Sequence, residues 1–305
     1  MFLSVVVCTH RRPEWLAELL ASIGPQVAGN PDREIVVVND GTDSPQYREV
    51  LAPYGGIVRY EALAEPHGIA RTRNATVALA RGEYVVFTDD DCVAPAHWLD
   101  WLEARLRACP ELDVVAGTTR PPPEPAPGLV GRAQSVYDLL PRPYSLDNGE
   151  HLFVTACLAV RADLLRAVGG FRTDGIFAVA GEDSELASRL CASGARIHID
   201  FDWHVFHKLG TDLRAEMRRY ARYGYANTMM AARRLGPRSY GWLHQKSGRQ
   251  RLQYFTGHLR RNLARTRHDD GSRSGKLAVA FVAAAIQYAY DAGCIRANRE
   301  RARSP

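Results

Sequence analysis

GEYVVFTDDDCVAP, from Gly82 to Pro95, joins an apolar run to three successive carboxylates. Tyr84 to Phe87 reads as a buried strand, and Asp89, Asp90 and Asp91 crowd its end. Like charges this close repel, and burial raises their cost unless something cationic pairs with them. A divalent cation meets that need. Hard oxygen ligands suit Mg²⁺ or Mn²⁺, which bind one or two carboxylates together with substrate phosphates. In α/β sheets ligands sit at the carboxyl ends of strands, where these acids fall. The competing reading is a plain turn, with Pro95 opening the next helix. The flanking sequence decides between them.

Upstream, Leu3 to Cys8 (LSVVVC) is a β-branched run of the kind buried on both sheet faces. A helix begins near Pro13, with Trp15, Leu16, Leu19, Leu20 and Ile23 at helical spacing. A strand over Ile35–Val38 ends in Asn39-Asp40-Gly41, and a helix is expected from Pro45 to Tyr54. A strand over Ile57–Ala62 and a helix over Gly68–Ala80 complete the approach to the acids. Downstream come a helix over Pro95–Cys109 and a strand over Val114–Thr118. Strand and helix alternate with crossovers of about 20 residues, which predicts a parallel sheet built from right-handed βαβ units.

The proline-rich stretch 120–130 (RPPPEPAPGLV) predicts a loop between two halves of one domain. Beyond it the pattern gives a strand over Leu152–Val160 and a helix over Asp163–Val168 ended by Gly169-Gly170. A helix over Glu182–Ala192 and a strand over Arg196–Ile199 follow. After Thr211 the chain reads as helices near 212–235, 249–266 and 276–298. The last is apolar but interrupted by Gln287 and Asp291, which favours a packed helix or one lying on a membrane over a span. The expected fold is α/β: a Rossmann-like, mostly parallel central sheet flanked by helices, with an α-helical C-terminal extension. The expected domains are 1–210, with a nucleotide-binding half at about 1–119 and an acceptor half at about 131–210, and a basic extension at 211–305.

Of 305 residues, 46% are hydrophobic and 24% charged, the balance of a globular protein. The six cysteines form no C-x-x-C pair, so neither a zinc site nor a redox motif is indicated and a reducing cytoplasm is expected. No secretory leader is read at the start. Charge is uneven: residues 205–305 hold 21 Lys/Arg against 6 Asp/Glu, and the remainder holds 18 against 28. A basic last third suggests an anionic partner, either a membrane surface, a phosphorylated acceptor or nucleic acid, unless it is only a solvated arginine-rich surface. The tail aromatics Tyr220, Tyr223, Tyr225, Trp242 and Tyr254 have packing-like spacing and form no stacking platform, so nucleic acid is not expected.

Four further clusters carry chemistry. Asp40 beside Gly41 suits a nucleobase or ribose contact, although Asn-Asp-Gly is also a good turn. Arg71 and Arg73, with Asn74, lie at a helix start, where arginines can meet diphosphate or ribose oxygens. Glu182, Asp183 and Glu185 open a helix whose dipole favours them, or supply a carboxylate base for an incoming hydroxyl. His204 and His207 follow a strand, and a neutral imidazole there could complete a metal shell begun by Asp91.

In that order, the segments SVVVCTHRRPEWLAELLASI, EIVVVNDGT, GIARTRNATVALARGEYVVFTDDD, TACLAVRADLLRAVGGF, GEDSELASRLCASGARI and HVFHKLG resemble family-two glycosyltransferases of the GT-A fold, over about residues 3–225. The resemblance implies a metal-dependent, inverting transfer from a nucleotide sugar, a UDP-sugar above all, to an unknown acceptor. By the resemblance Asp91 binds Mn²⁺ or Mg²⁺, and Asp89, the other outer acid of the D-x-D, contacts ribose or donor sugar and shares the metal site. Asp90 stands between them on the donor side. Thr9 and Arg11 match the loop that packs on the nucleotide, Asp40 the acid that reads the base, and Arg73 the arginine near ribose and phosphates. Asp183 matches the catalytic base, with Glu182 its neighbour and a possible acceptor contact. His207 matches the late metal-binding histidine better than His204, because Gly210 follows it closely. Two departures stand out. Thr155-Ala156-Cys157 replaces the asparagine many relatives carry, which puts sugar contacts there in question. Q-x-x-R-W and a set of membrane spans are missing, which argues against a processive synthase. The implied location is cytoplasmic, with peripheral attachment at the inner face of a membrane as an option. The alternatives are a nucleotidyltransferase acting on a sugar phosphate, disfavoured because no glycine- and lysine-rich phosphate loop follows the first strand, and a non-enzymatic protein that binds anionic surfaces.

Overall fold

The computed structural model describes residues 1–303 apart from 138, 146–148, 179, 234, 236–242, 244–245 and 266–271. Trp242 and residue 266, the predicted end of the second tail helix, lie outside the described residues.

The chain runs β1 (Leu3–Thr9), α1 (Pro13–Val27), β2 (Arg33–Asn39), α2 (Pro45–Leu51), β3 (Val58–Ala62), α3 (Ile69–Leu79), β4 (Tyr84–Asp89), β5 (Cys92–Val93), α4 (Trp98–Ala108) and β6 (Val114–Arg120). It continues through α5 (Gly128–Val136), β7 (Tyr144–Ser145), β8 (His151–Leu152), β9 (Leu158–Arg161), α6 (Ala162–Ala167), α7 (Glu182–Ala192) and β10 (Ile197–His207). Helices α8 (Leu213–Arg233), α9 (Arg251–Arg265) and α10 (Arg273–Arg301) follow. The main sheet has eight strands in the order β3-β2-β1-β4-β9-β6-β10-β5. Neighbours pair in parallel except where β9 meets β4 and β6, and where β5 meets β10.

The unbroken apolar runs have a direct cause. Leu3, Val5 and Val7 point into one core with Leu16, Leu19, Leu20 and Ile23 of α1 and Leu99 and Leu102 of α4. Val6 points into another with Val85, Phe87, Leu165 of α6 and Leu186 and Leu190 of α7. With helices on both faces, every residue of the strand except the half-buried Cys8 is buried and no alternation appears in the sequence.

Packing divides the chain into two units. The first comprises Met1–Arg120, Pro141–Asp174 and Glu182–Lys208, and holds the sheet. The second comprises Pro121–Leu140, Gly175–Gly181 and Leu209–Pro305. In the second, α8 and α10 cross with backbones in contact. A Cβ on Gly224 would lie 2.0 Å from the Tyr290 carbonyl oxygen, and one on Gly293 2.0 Å from that of Ala221. Helix α10 is the one described helix long and apolar enough to cross a membrane, and 61% of its apolar window is buried within the fold. Its Asp291 is buried, 2.7 Å from both Lys246 Nζ and His258 Nε2.

Four local expectations are corrected. The proline-rich loop ends sooner than expected, because a helix begins at Gly128. Leu152–Val160 is not one strand: β8 gives way to a buried 3₁₀ turn at Thr155–Cys157 before β9, and the Cys157 sulfur packs against the bare face of Gly117. The fourth helix starts at Trp98 rather than Pro95, since His97 at its N-cap is left-handed, with φ of 61°. The strand expected over Arg196–Ile199 continues through a bulge to His207, so both candidate histidines lie in it rather than after it.

Candidate active site

Parallel register gathers the first residues of the site. In β1, Thr9 lies opposite Asn39 of β2, and Cys8 opposite Asp89 of β4. The carboxyl ends of three strands therefore bring Thr9, Asp40 and the acids to one edge of the sheet.

Each acid then meets a different partner. Thr9 Oγ1 donates to Asp90 Oδ2 at 2.8 Å and lies 3.0 Å from the Tyr47 hydroxyl. Burial first, and the neighbouring Asp91 second, push the Asp90 carboxyl up to about 7. Asp89 accepts from Arg73 Nη2 at 3.2 Å, and the same guanidinium donates through Nη1 to Glu182 Oε1 at 2.5 Å. Arg73 is buried; burial opposes its charge, but Asp89 and Glu182 outweigh that and raise its pKa above the usual arginine value. One side chain of α3 thus ties the acidic strand to the first turn of α7.

Arg73 is itself held in place. It lies 5.6 Å from the Phe171 ring. Asn74 fixes Phe171 by donating to its carbonyl and accepting from its N–H, both at 2.8 Å. Asn74 is thus a clamp between α3 and the segment after α6.

Asp183 follows Glu182 in α7. It is half-buried, and Oδ1 accepts from the Ser184 N–H at 2.7 Å. Burial first, then the Glu182 charge, raise its carboxyl to about 7, against the pull of Arg73. A carboxylate whose pKa lies this close to neutrality suits general-base work.

Asp91 faces β10. Its Oδ1 lies 3.5 Å from His207 Nε2, and its carbonyl accepts from the Lys208 N–H at 2.8 Å. The His207 Nδ1 lies 2.8 Å from the Lys208 carbonyl, which leaves Nε2 free to act as a ligand. Asp91, Cys92 and His207 put their potential ligand atoms within 4.8 Å of one another. Burial, then Asp91 and Asp89, raise the Cys92 thiol well above its ordinary range, so it keeps its proton. A carboxylate oxygen and an imidazole nitrogen remain, a set that fits Mn²⁺ or Mg²⁺. His204 is elsewhere on the strand, 2.7 Å from the Asp202 carbonyl and edge-on to Phe206.

Two other expected contacts are arranged differently. Asp40 is buried, and its two oxygens accept from the N–H groups of His67 at 2.7 Å and Gly68 at 3.0 Å, organising the entry to α3. Arg11 is exposed in the left-handed region, with φ of 56°, and it is Arg12 that reaches the acids. Arg12 Nη1 is 3.4 Å from both Asp90 Oδ1 and Asp91 Oδ2, and its guanidinium stacks 4.4 Å from the Trp15 ring. Residue spacing carried no signal for it, since Arg11 and Arg12 are adjacent cations before the same helix and the acids lie 78 and 79 positions away.

A family model described as glycosyl transferase family 2 matches residues 4–169, more than half of the chain. The chain is 29% identical over 212 residues to pre-mycofactocin glycosyltransferase of Mycobacterium tuberculosis, covering 65% of this chain and 42% of that protein. It is 27% identical over 129 residues to polypeptide N-acetylgalactosaminyltransferase 5 of Caenorhabditis elegans, covering 38% of this chain and 20% of that protein. The chain therefore spans less than half the length of these relatives. Its fold is similar to that of mannosyltransferase PcManGT from Pyrobaculum calidifontis, solved with GDP-Man and Mn²⁺, with a TM-score of 0.63 and 20% identity over 97% of this chain and 86% of that one.

Proposed function

The chain belongs to glycosyl transferase family 2, and on that premise we propose that it moves a sugar from a nucleotide sugar, a UDP-sugar, to a hydroxyl or similar nucleophile on an acceptor with inversion of configuration. One observation carries the reading: Arg73 joins Asp89 to Glu182, which fixes Asp183, of near-neutral pKa, on the same edge as the Asp91–His207 corner. Asp183 takes the acceptor's proton as the new bond forms. Glu182 lines the acceptor side, while Asp89 and Arg73 orient ribose and phosphates. Thr9 and Asp40 shape the nucleotide end. Asp91 and His207 would hold Mn²⁺ or Mg²⁺, which when bound stabilises negative charge on the departing nucleoside diphosphate.

The test is a thermal-shift screen of UDP, GDP, dTDP and CDP, each with and without Mn²⁺, on wild type and Asp91→Ala. A nucleotide at about 100 times its Kd adds roughly 2.7 kcal/mol of stability. The expected result is a Mn²⁺-dependent shift with UDP that Asp91→Ala removes. Retention of the shift in that variant removes the metal assignment, and a shift with GDP alone reassigns the donor base.

We place the enzyme in the cytoplasm, a location that six free cysteines suit, and at the surface of an anionic membrane or acceptor. In the second unit, Leu252 and Phe281 are 75% and 53% exposed, and Arg251, Arg260 and Arg273 are exposed on the same two helices. Exposed apolar side chains on helices that also carry exposed arginines suit an anionic interface. Failure to sediment with phosphatidylglycerol vesicles at low salt would overturn the membrane assignment.

A further inference from the structure

Arg12 and a divalent ion call on the same carboxylate. Asp91 turns Oδ1 toward His207 Nε2, 3.5 Å away, and Oδ2 toward Arg12 Nη1, 3.4 Å away. The same Nη1 reaches Asp90 Oδ1, also at 3.4 Å, while the other oxygen of Asp90 is held by Thr9. The acids are thus divided between two arginines: Arg73 serves Asp89 and Glu182, and Arg12 serves Asp90 and Asp91. These arginines differ in freedom. Arg73 is buried, whereas the Arg12 side chain is 48% exposed. Its backbone is anchored through its N–H to the Tyr47 hydroxyl at 3.1 Å. Its guanidinium lies on Trp15, which also carries Lys208 Nζ at 5.0 Å from the ring, and Lys208 is paired with Glu18 at 2.7 Å.

We propose that Arg12 is an internal counter-cation that makes metal binding depend on the nucleotide. This rests on the metal-dependent reading above. A positive side chain bonded to Asp91 weakens the attraction of that carboxylate for a second cation. A diphosphate brings negative charge, and a guanidinium is well suited to pair with it. When the nucleotide arrives, Arg12 transfers its pairing from the carboxylates to a phosphate oxygen, and Asp91 is left to the ion. Metal and nucleotide then bind with positive cooperativity, and by linkage each strengthens the other by the same factor.

The experiment measures bound Mn²⁺ by the loss of the free-ion electron paramagnetic resonance signal, with and without UDP, on wild type, Arg12→Gln and Arg12→Lys. Arg12→Gln should bind Mn²⁺ alone roughly 1.5- to fivefold more tightly than wild type, the range for partly exposed ion pairs. It should bind UDP at saturating Mn²⁺ more weakly, so the factor by which UDP strengthens Mn²⁺ binding shrinks. Arg12→Lys keeps the charge and should stay near wild type in the absence of UDP. Equal or weaker Mn²⁺ binding by Arg12→Gln overturns the proposal and makes Arg12 a support for the loop. An undiminished UDP effect in Arg12→Gln overturns it as well. If neither wild type nor Arg12→Gln binds Mn²⁺ even with UDP, the metal-dependent reading itself fails, and this proposal with it.

Discussion

Replacing Arg73 by methionine removes one cation from between two carboxylates while keeping an unbranched apolar side chain of similar reach. Arg73 and Glu182 are 7% and 9% exposed and 2.5 Å apart, so the change leaves Glu182 buried without its counter-ion. Breaking a buried pair from one side costs about 3–5 kcal/mol. Asp89, 30% exposed, is better screened and adds less than about 1 kcal/mol. At about 2 °C per kcal/mol for a chain this large, the expected loss of Tm is roughly 6–10 °C. The loss is one of charge: a buried Glu182 carboxylate without its counter-ion is what costs stability, so neutralising it should remove the cost. Thermal denaturation followed by circular dichroism measures it, and Arg73→Met with Glu182→Gln should recover most of the loss. A deficit below about 2 °C, or one that Glu182→Gln does not reduce, refutes the argument that Arg73 is held by charge.

Asp183→Asn should retain the nucleotide-induced thermal shift and lose transfer by about 10²–10⁴-fold. With its carboxyl raised to about 7 by burial and Glu182, Asp183 is an active base only when deprotonated, so wild-type single-turnover transfer should rise with pH through about 7; a flat profile between pH 5.5 and 8.5 removes it as the base. Gly293→Ala places a Cβ 2.0 Å from the Ala221 carbonyl oxygen and should cost about 1–3 kcal/mol in urea denaturation, with the α8–α10 crossing forced apart. Asn74→Ala removes both hydrogen bonds to the Phe171 backbone and should cost roughly 1–3 kcal/mol by the same assay.

Much of the first unit was legible because its signals are local. A continuous β-branched run reports burial on both faces, and Pro13 and Pro45 open helices where expected. The bounds Glu182–Ala192 for α7 are those the sequence predicts. The misreadings occur where a non-local neighbour sets the local conformation. The Thr155–Cys157 turn interrupts an apolar run because Gly117 leaves room beneath it, and no periodicity along the run records that room. The full length of β10 was hidden because its bulge breaks the alternation between Ile199 and His204.

The site divides in the same way. Sequence alone determined the chemical inventory: three acids at a strand end, an Asp after β2, arginines opening α3, acids opening α7 and a late histidine, in an order that resembles one family. Each is a local feature, a residue type at an element boundary, and element boundaries are what propensity and hydrophobic periodicity report. Tertiary structure alone decided the pairings. Arg73 meets Glu182 across 109 positions and Thr9 meets Asp90 across 81, because β4 lies beside β1 and α7 packs on the same sheet. It also decided that Arg12 rather than Arg11 reaches the acids, since a left-handed residue at position 11 reverses the chain before α1. Which charge neutralises which depends on strand order and side-chain direction, and neither is encoded in the spacing of residues along the chain.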